Sequence, residues 1–195
     1  MSGNKDNERV MIFIDLRNVL KGTKRFRELG TKIDFEDMVE YIADGRDVVG
    51  TYVFDGTRVD GLYDGIHYEL LNIGFRVIAR ISYEKEIKVQ KEVDAAMSCK
   101  MVSQAYEDTY DVAVIVSGDR DFRPAMEQIQ ELGKKVEVAG FSDNMSWMLA
   151  RSCDGVHDLD LVPMFYYAPE TKVCRKEPVL TTTDRIIMPY EALAF

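Results

Sequence analysis

Apolar runs of strand length alternate with amphipathic runs of helix length along most of this chain, and that rhythm restricts the fold more than any other feature. Residues 9–15 (RVMIFID), 47–55 (DVVGTYVFD), 75–82 (FRVIARIS), 111–117 (DVAVIVS) and 134–141 (KKVEVAGF) are rich in β-branched and aromatic residues. Residues 34–43, 59–74, 91–108 and 121–133 lie between or after them with helical spacing; Val93, Met97, Met101 and Ala105 recur every four residues and give one apolar face. Asp34 suits an N-cap, Gly74 suits a helix end, and Pro124 is tolerable in a first helical turn. A short helix at 144–153 and a last extended piece at 155–160 complete the series. Strands joined through helices lie parallel with right-handed crossovers. The expectation is an α/β fold with a mostly parallel central sheet of about five strands. Residues 111–117, nearly all apolar, should be central and covered on both faces.

The alternation stops near residue 162. We therefore expect a flexible or disordered N-terminus at 1–9, one domain at 10–162, and an extension at 163–195 containing a weak strand near 185–188. The extension would pack on its own domain or on a neighbouring chain, the second case giving a homodimer. No apolar run approaches the roughly 18 to 20 residues of a membrane helix, and no apolar leader core precedes Val10. A cytoplasmic location without a membrane partner is expected. Cys99, Cys153 and Cys174 are odd in number and far apart, matching neither a disulfide framework nor a zinc pair. A formal net charge of -9 argues against holding nucleic acid by bulk attraction. Any phosphate must be met by a local basic patch or by a metal ion. Residues 16–32 supply Arg17, Lys21, Lys24, Arg25, Arg27 and Lys32 against the single acid Glu28. Phe26 in that segment either stacks on a base or belongs to the core.

An open parallel sheet has its crevice beyond the carboxyl ends of the strands, where strand order reverses. Asp15 ends the first run, Asp55 the second, and Asp119 and Asp121 follow the fourth directly; Asp94 falls in the first turn of the helix after the third. Carboxylates brought within about 4 to 5 Å repel by several kcal/mol at intermediate dielectric, so such a cluster protonates, spreads or binds a cation. Mg²⁺ takes one or two carboxylates, water and phosphate oxygens, and can activate water against a phosphodiester. Simpler roles stand beside this one. Asp121 suits an N-cap, Asp94 a favourable charge near a helix start, and Asp55 an Asp-Gly turn. His67 and His157 lie apart from the acidic motifs and are expected to be structural, and Ser117 has no visible base partner.

FIDLRNV (13–19), KEVDAAM (91–97) and VSGDRDFRP (116–124) together resemble the three acidic motifs of NYN domains of the LabA-like group, within the PIN-like nuclease superfamily. GKKVEVAGF (133–141) and LARSCDGVHDL (149–159) are similar to the group's closing strand and helix, so the resemblance spans 10–161. It implies a PIN-like three-layer α/β/α sandwich and a site using Mg²⁺ or Mn²⁺ to cleave RNA, expected to be single-stranded. By motif position, Asp15, Asp94, Asp119 and Asp121 are the implied metal-binding and catalytic cluster, and Asn18 is the polar residue after the first aspartate. Ser117 is the small hydroxyl residue before Gly118, whose bare backbone would approach the ion or phosphate. Lys91 either contacts phosphate or is a solvated lysine at a helix start, and the local charge of the basic segment makes Lys24 and Arg25 either substrate contacts or part of a solvated surface loop. Where the family has small residues after its first aspartate this chain has Leu16 and Arg17, which either narrow the cleft or place a guanidinium on the scissile phosphate. A phosphatase of the haloacid dehalogenase type needs a second Asp two residues after the first, and Arg17 fills that place. The expected function is a metal-dependent endoribonuclease; the alternative is a non-catalytic RNA- or protein-binding regulatory module on the same fold.

Overall fold

The chain order is β1 (Arg9–Asp15), α1 (Leu16–Gly22), α2 (Lys24–Arg27), β2 (Thr31–Ile33), α3 (Phe35–Ala43), β3 (Asp47–Thr57), α4 (Gly65–Asn72), β4 (Arg76–Ile81), α5 (Glu86–Tyr106), β5 (Val112–Val116), α6 (Arg123–Glu131), β6 (Lys135–Gly140), α7 (Trp147–Arg151), β7 (Gly155–Asp158) and β8 (Phe165–Tyr167). This computed structural model describes residues 8–27, 31–57, 63–81, 86–161 and 165–167, without the side chains of 25, 27, 31, 81, 86–90 and 165–167. The expectations for 1–7, for a strand at 185–188 and for most of the C-terminal extension lie outside the described residues.

Six strands form one sheet in the order β4-β3-β1-β5-β6-β7, and every neighbouring pair is parallel. The sheet has six strands, one more than the sequence suggests. The sixth is β7, whose four residues pair with Glu137 to Gly140 and are too few to show a period of their own. A separate antiparallel ribbon joins β2 to β8, Lys32 facing Tyr166. Among the described residues no helix is long and apolar enough to cross a membrane.

Both faces of the sheet are covered, which explains the unbroken apolar runs of β1 and β5. Val10, Ile12, Ile14, Val112, Val114 and Val116 face one side, packed with Met38 and Ile42 of α3 and Leu70 of α4. Met11, Phe13, Ala113 and Ile115 face the other, against Val93, Met97 and Met101 of α5 and Met126 and Ile129 of α6. A step of one residue along β1 thus changes face, and Asp15 falls on the α5 side. Ile14 pairs with Val116, so Asp15 and Ser117 leave the last rung together.

The far side is tied by Arg46, just beyond α3. Its guanidinium makes two 2.8 Å bonds to Glu137 and donates to the Ile42 and Ala43 carbonyls at 3.0 and 2.9 Å. His157 Nε2 lies 2.7 Å from the same Glu137 carboxylate. One buried arginine thereby satisfies the orphan carbonyls of a helix end and joins α3 to β6.

Candidate active site at the carboxyl edge of the sheet

Strand order reverses at β1. The chain proceeds to β3 and β4 on one side, then crosses through α5 to β5 on the other. The crevice of such a sheet opens at this reversal, which is where Asp15 stands. Its carboxylate caps α1, Oδ1 accepting from Asn18 N at 3.1 Å, and Oδ2 accepts from Ser117 Oγ at 3.2 Å. Only 2% of Asp15 is exposed. Burial pushes its carboxyl up to about 6; the Asn18 N–H draws it back, the charge of Asp94 raises it, the Ser117 hydroxyl lowers it and the charge of Asp119 raises it again. Asp15 of β1 therefore lies within the fields of Asp94 of α5 and Asp119 of the turn after β5.

The turn after β5 is built by small polar bonds. Ser117 Oγ accepts from Asp119 N at 3.2 Å, and Asp119 Oδ1 accepts from Asp121 N at 3.0 Å. Asn18 Oδ1 accepts from Gly118 N at 3.1 Å and from Asn144 Nδ2 at 3.0 Å, while Ser146 N donates to Gly118 O at 3.0 Å. Asn18 and Ser117 hold the acidic turns in place; Asn18 is half-buried and Ser117 is 1% exposed. Gly118 is a close-approach glycine, but what approaches is protein. A Cβ there would lie 2.1 Å from Asn144 O and 3.0 Å from Met145 Cα, so the space expected for an ion or phosphate is filled by the loop after β6.

Other expectations divide. Asp94 is not in a first helical turn, because α5 starts at Glu86; it follows buried Val93 on the flank of the apolar stripe. Asp121 is not the N-cap, since Asp119 caps the 3₁₀ turn Arg120–Phe122 and Phe122 precedes α6. Asp121 is exposed and lines a surface cavity of about 610 Å³ with Arg120, Arg123 and Met148. Lys24 and Lys91 are exposed, and the Arg25 side chain lies outside the described residues. Phe26 is partly buried and faces Phe141, ring centroids 6.3 Å apart, so it belongs to the core.

Arg17 is turned toward a partner that the sequence does not suggest. Its Nε lies 3.4 Å from Asp55 Oδ1, and Asp55 Oδ2 lies 3.0 Å from His67 Nε2. Asp55 is therefore no turn residue; it sits inside β3, 8% exposed, on the face opposite to Asp15. His67 is fully buried and its Nδ1 lies 2.7 Å from Asp64 Oδ1. Hydrogen bonding to Asp55 raises its pKa, burial opposes this, and the charges of Asp55 and Asp64 add to the rise. The only sequence signal was Asp64 three residues before His67, one helical turn.

Among the described residues no three acidic, histidine or cysteine side chains close into a ready metal cage. The donor set still fits a hard divalent ion that takes one or two carboxylates and otherwise water. The oxygens are hard, Asp15 faces two like charges, and Asn144 Oδ1 is buried without a hydrogen-bond partner beside Asn18.

A parallel sheet covered by helices on both faces, with Asp15 and Asp119 at its carboxyl edge, is a three-layer α/β/α sandwich. The NYN domain profile matches residues 9–160, and the chain belongs to that family. A crystal structure of a protein of unknown function from Vibrio parahaemolyticus aligns with a TM-score of 0.64 and 22% identity, over 82% of this chain and 97% of that one. At that identity the likeness shows the fold. No curated protein gives a significant match.

Proposed function

We propose that this NYN domain is a metal-dependent nuclease that hydrolyses RNA phosphodiesters, acting within the strand. The observation that carries the proposal is the burial of Asp15 within the fields of Asp94 and Asp119, three carboxylates delivered by separate elements to the crevice of a parallel sheet. Asp15, Asp94 and Asp119 would hold Mg²⁺ or Mn²⁺, with Asp121 at the outer rim. When bound, the ion supplies a water acidified toward hydroxide and charge stabilisation at the phosphoryl oxygens. The chain's own contribution is positional. Ser117 and Asn18 fix the Asp15 carboxylate, the Asp121 N–H holds that of Asp119, and Arg17, half-exposed beside Asp55, follows Asp15 by two residues as a cation for the strand.

The absence of a closed cage among the described residues favours a second reading, a non-catalytic module that binds RNA or protein. One comparison separates the two. The purified chain should cut single-stranded RNA in Mg²⁺ or Mn²⁺, and Asp119→Asn should reduce the rate at least a hundredfold while leaving the circular dichroism unchanged. Equal cutting by both proteins refutes the catalytic reading. RNA affinity without cutting supports the module.

A further inference from the structure

This inference rests on the nuclease reading and concerns how the strand is held. With a formal net charge of -9 the chain lacks bulk attraction for nucleic acid, so contacts to bases must supplement those to phosphate. Phe26 is committed to the core. The exposed aromatic beside the acidic edge is Trp147, with 66% of its surface open.

Its position is fixed from beneath. Ser146 N donates to Gly118 O, so the residue before Trp147 is bonded to the residue before Asp119. Given about 3.8 Å between successive Cα atoms, Trp147 and Asp119 start on the order of 10 Å apart. Leu149, fully buried, anchors α7 and leaves the indole outside. Arg151 stands over that indole, its guanidinium carbon 5.8 Å from the ring centroid. Across the cavity lined by Met148 and Asp121 lies Arg120. Arg123 is paired with Glu127 at 2.8 Å, whereas Arg120 and Arg151 make no ion pair among the described residues.

We propose that Trp147 is a stacking platform for an unpaired base of the strand whose phosphate lies at the acidic edge, with Arg120 and Arg151 meeting the adjoining phosphates. An exposed indole with the Arg151 guanidinium over it and Arg120 at the adjoining cavity, neither ion-paired among the described residues, matches what a single strand presents: a π-face at every base and a charge at every linkage. A duplex hides those faces in its own stack. The site therefore selects single-stranded nucleic acid and tolerates any base.

Trp147 is the chain's one tryptophan, so its fluorescence reports on this site alone. The full chain is titrated in Mg²⁺ with a short single-stranded phosphorothioate oligonucleotide, which resists hydrolysis, and with the matching blunt duplex. The single strand should quench the emission saturably and the duplex should not. Trp147→Ala should weaken single-strand affinity, read by anisotropy, roughly 5- to 150-fold, Trp147→Phe should keep most of it, and circular dichroism should be unchanged. Arg120→Gln and Arg151→Gln should each flatten the salt dependence by about one counterion. Binding without quenching, equal quenching by duplex, unchanged affinity in Trp147→Ala, or no binding each overturns the platform. RNA cutting that persists in those cases leaves the nuclease reading standing. A quenched, Trp147-dependent complex with no cutting supports the platform and removes the nuclease.

Discussion

Replacing Gly118 by alanine tests whether the acidic turn is braced by protein or left open for a ligand. Gly118 does not have a positive φ, so alanine suits its backbone and, by restricting the unfolded chain, should stabilise by about 0.4–1 kcal/mol. Packing predicts the opposite sign. The new methyl would sit 2.1 Å from Asn144 O and 2.7 Å from Asn144 C, and a relaxed carbon to oxygen contact needs roughly 3.3 Å, so a stretch of backbone must retreat by about 1 Å. Overpacking of this kind costs about 1–3 kcal/mol. The retreat also stretches the Ser146 to Gly118 and Asn144 to Asn18 hydrogen bonds, worth about 1 kcal/mol each. The net expectation is a loss of about 2–4 kcal/mol, or a fall in Tm of roughly 5–15 °C for a chain of this size. Gly140 is the control, because its added Cβ meets only the tip of a flexible side chain, Met145 Cε at 2.6 Å; Gly140→Ala should cost under about 1 kcal/mol. Urea unfolding followed by far-ultraviolet circular dichroism measures both, with the slope against urea unchanged. A Gly118→Ala protein as stable as the parent, or one no worse than Gly140→Ala, would refute the steric account.

Two further outcomes follow from the buried charges. Asp15→Asn removes a buried charge that also faces Asp94 and Asp119 while an amide can still accept from Asn18 and donate to Ser117, so the metal-free protein should gain about 1–2 kcal/mol in urea unfolding; a loss would show that the Asp15 charge is not disfavoured by its surroundings. Mg²⁺ should raise the Tm of the parent and not of this variant. Glu137→Ala leaves Arg46, 6% exposed, with only the longer 3.8 Å contact to Glu8 and should cost about 3 kcal/mol. Burial would raise the Glu137 carboxyl, but hydrogen bonds from His157 and Arg46 overcome this and hold it at about 2, below its ordinary 4.5. Because the folded value is the lower one, its contribution is complete above pH 4.5 and disappears as pH falls toward 2. Urea midpoints of the parent should drop through that window more steeply than those of Glu137→Ala, and parallel curves would contradict the assignment.

Features that depend on short-range pattern were legible in the residues. The apolar runs of β1 and β5 announce central strands, and their ends place Asp15 and Asp119 at one edge. The start of α5 was not legible, because Ile87 and Val89 alternate with Glu86, Lys88 and Gln90 as in a charged link and not at helical spacing; this misplaced Asp94 within its helix. Pairings across elements were also hidden. Asp55 meets His67 and Arg17 only after β3, α4 and α1 are assembled, so an Asp-Gly pair inside a strand imitated a turn. Exposure was hidden for the same reason: the packing of Phe141 against Phe26 decides between the two roles open to it, and the 66% exposure of Trp147 has no signal in the residues around it.

The strand order sets a timetable for the nascent chain. As the protein emerges from the ribosome, β1 finds β3 on one flank, while its other flank waits for β5, some hundred residues later. During that interval a row of apolar side chains and unpaired amides stands beside the newly made half-sheet, a surface that invites pairing with another chain. Closing that gap is the same event that brings Asp119 to Asp15. A polypeptide released early would therefore be at once sticky and without its acidic pocket.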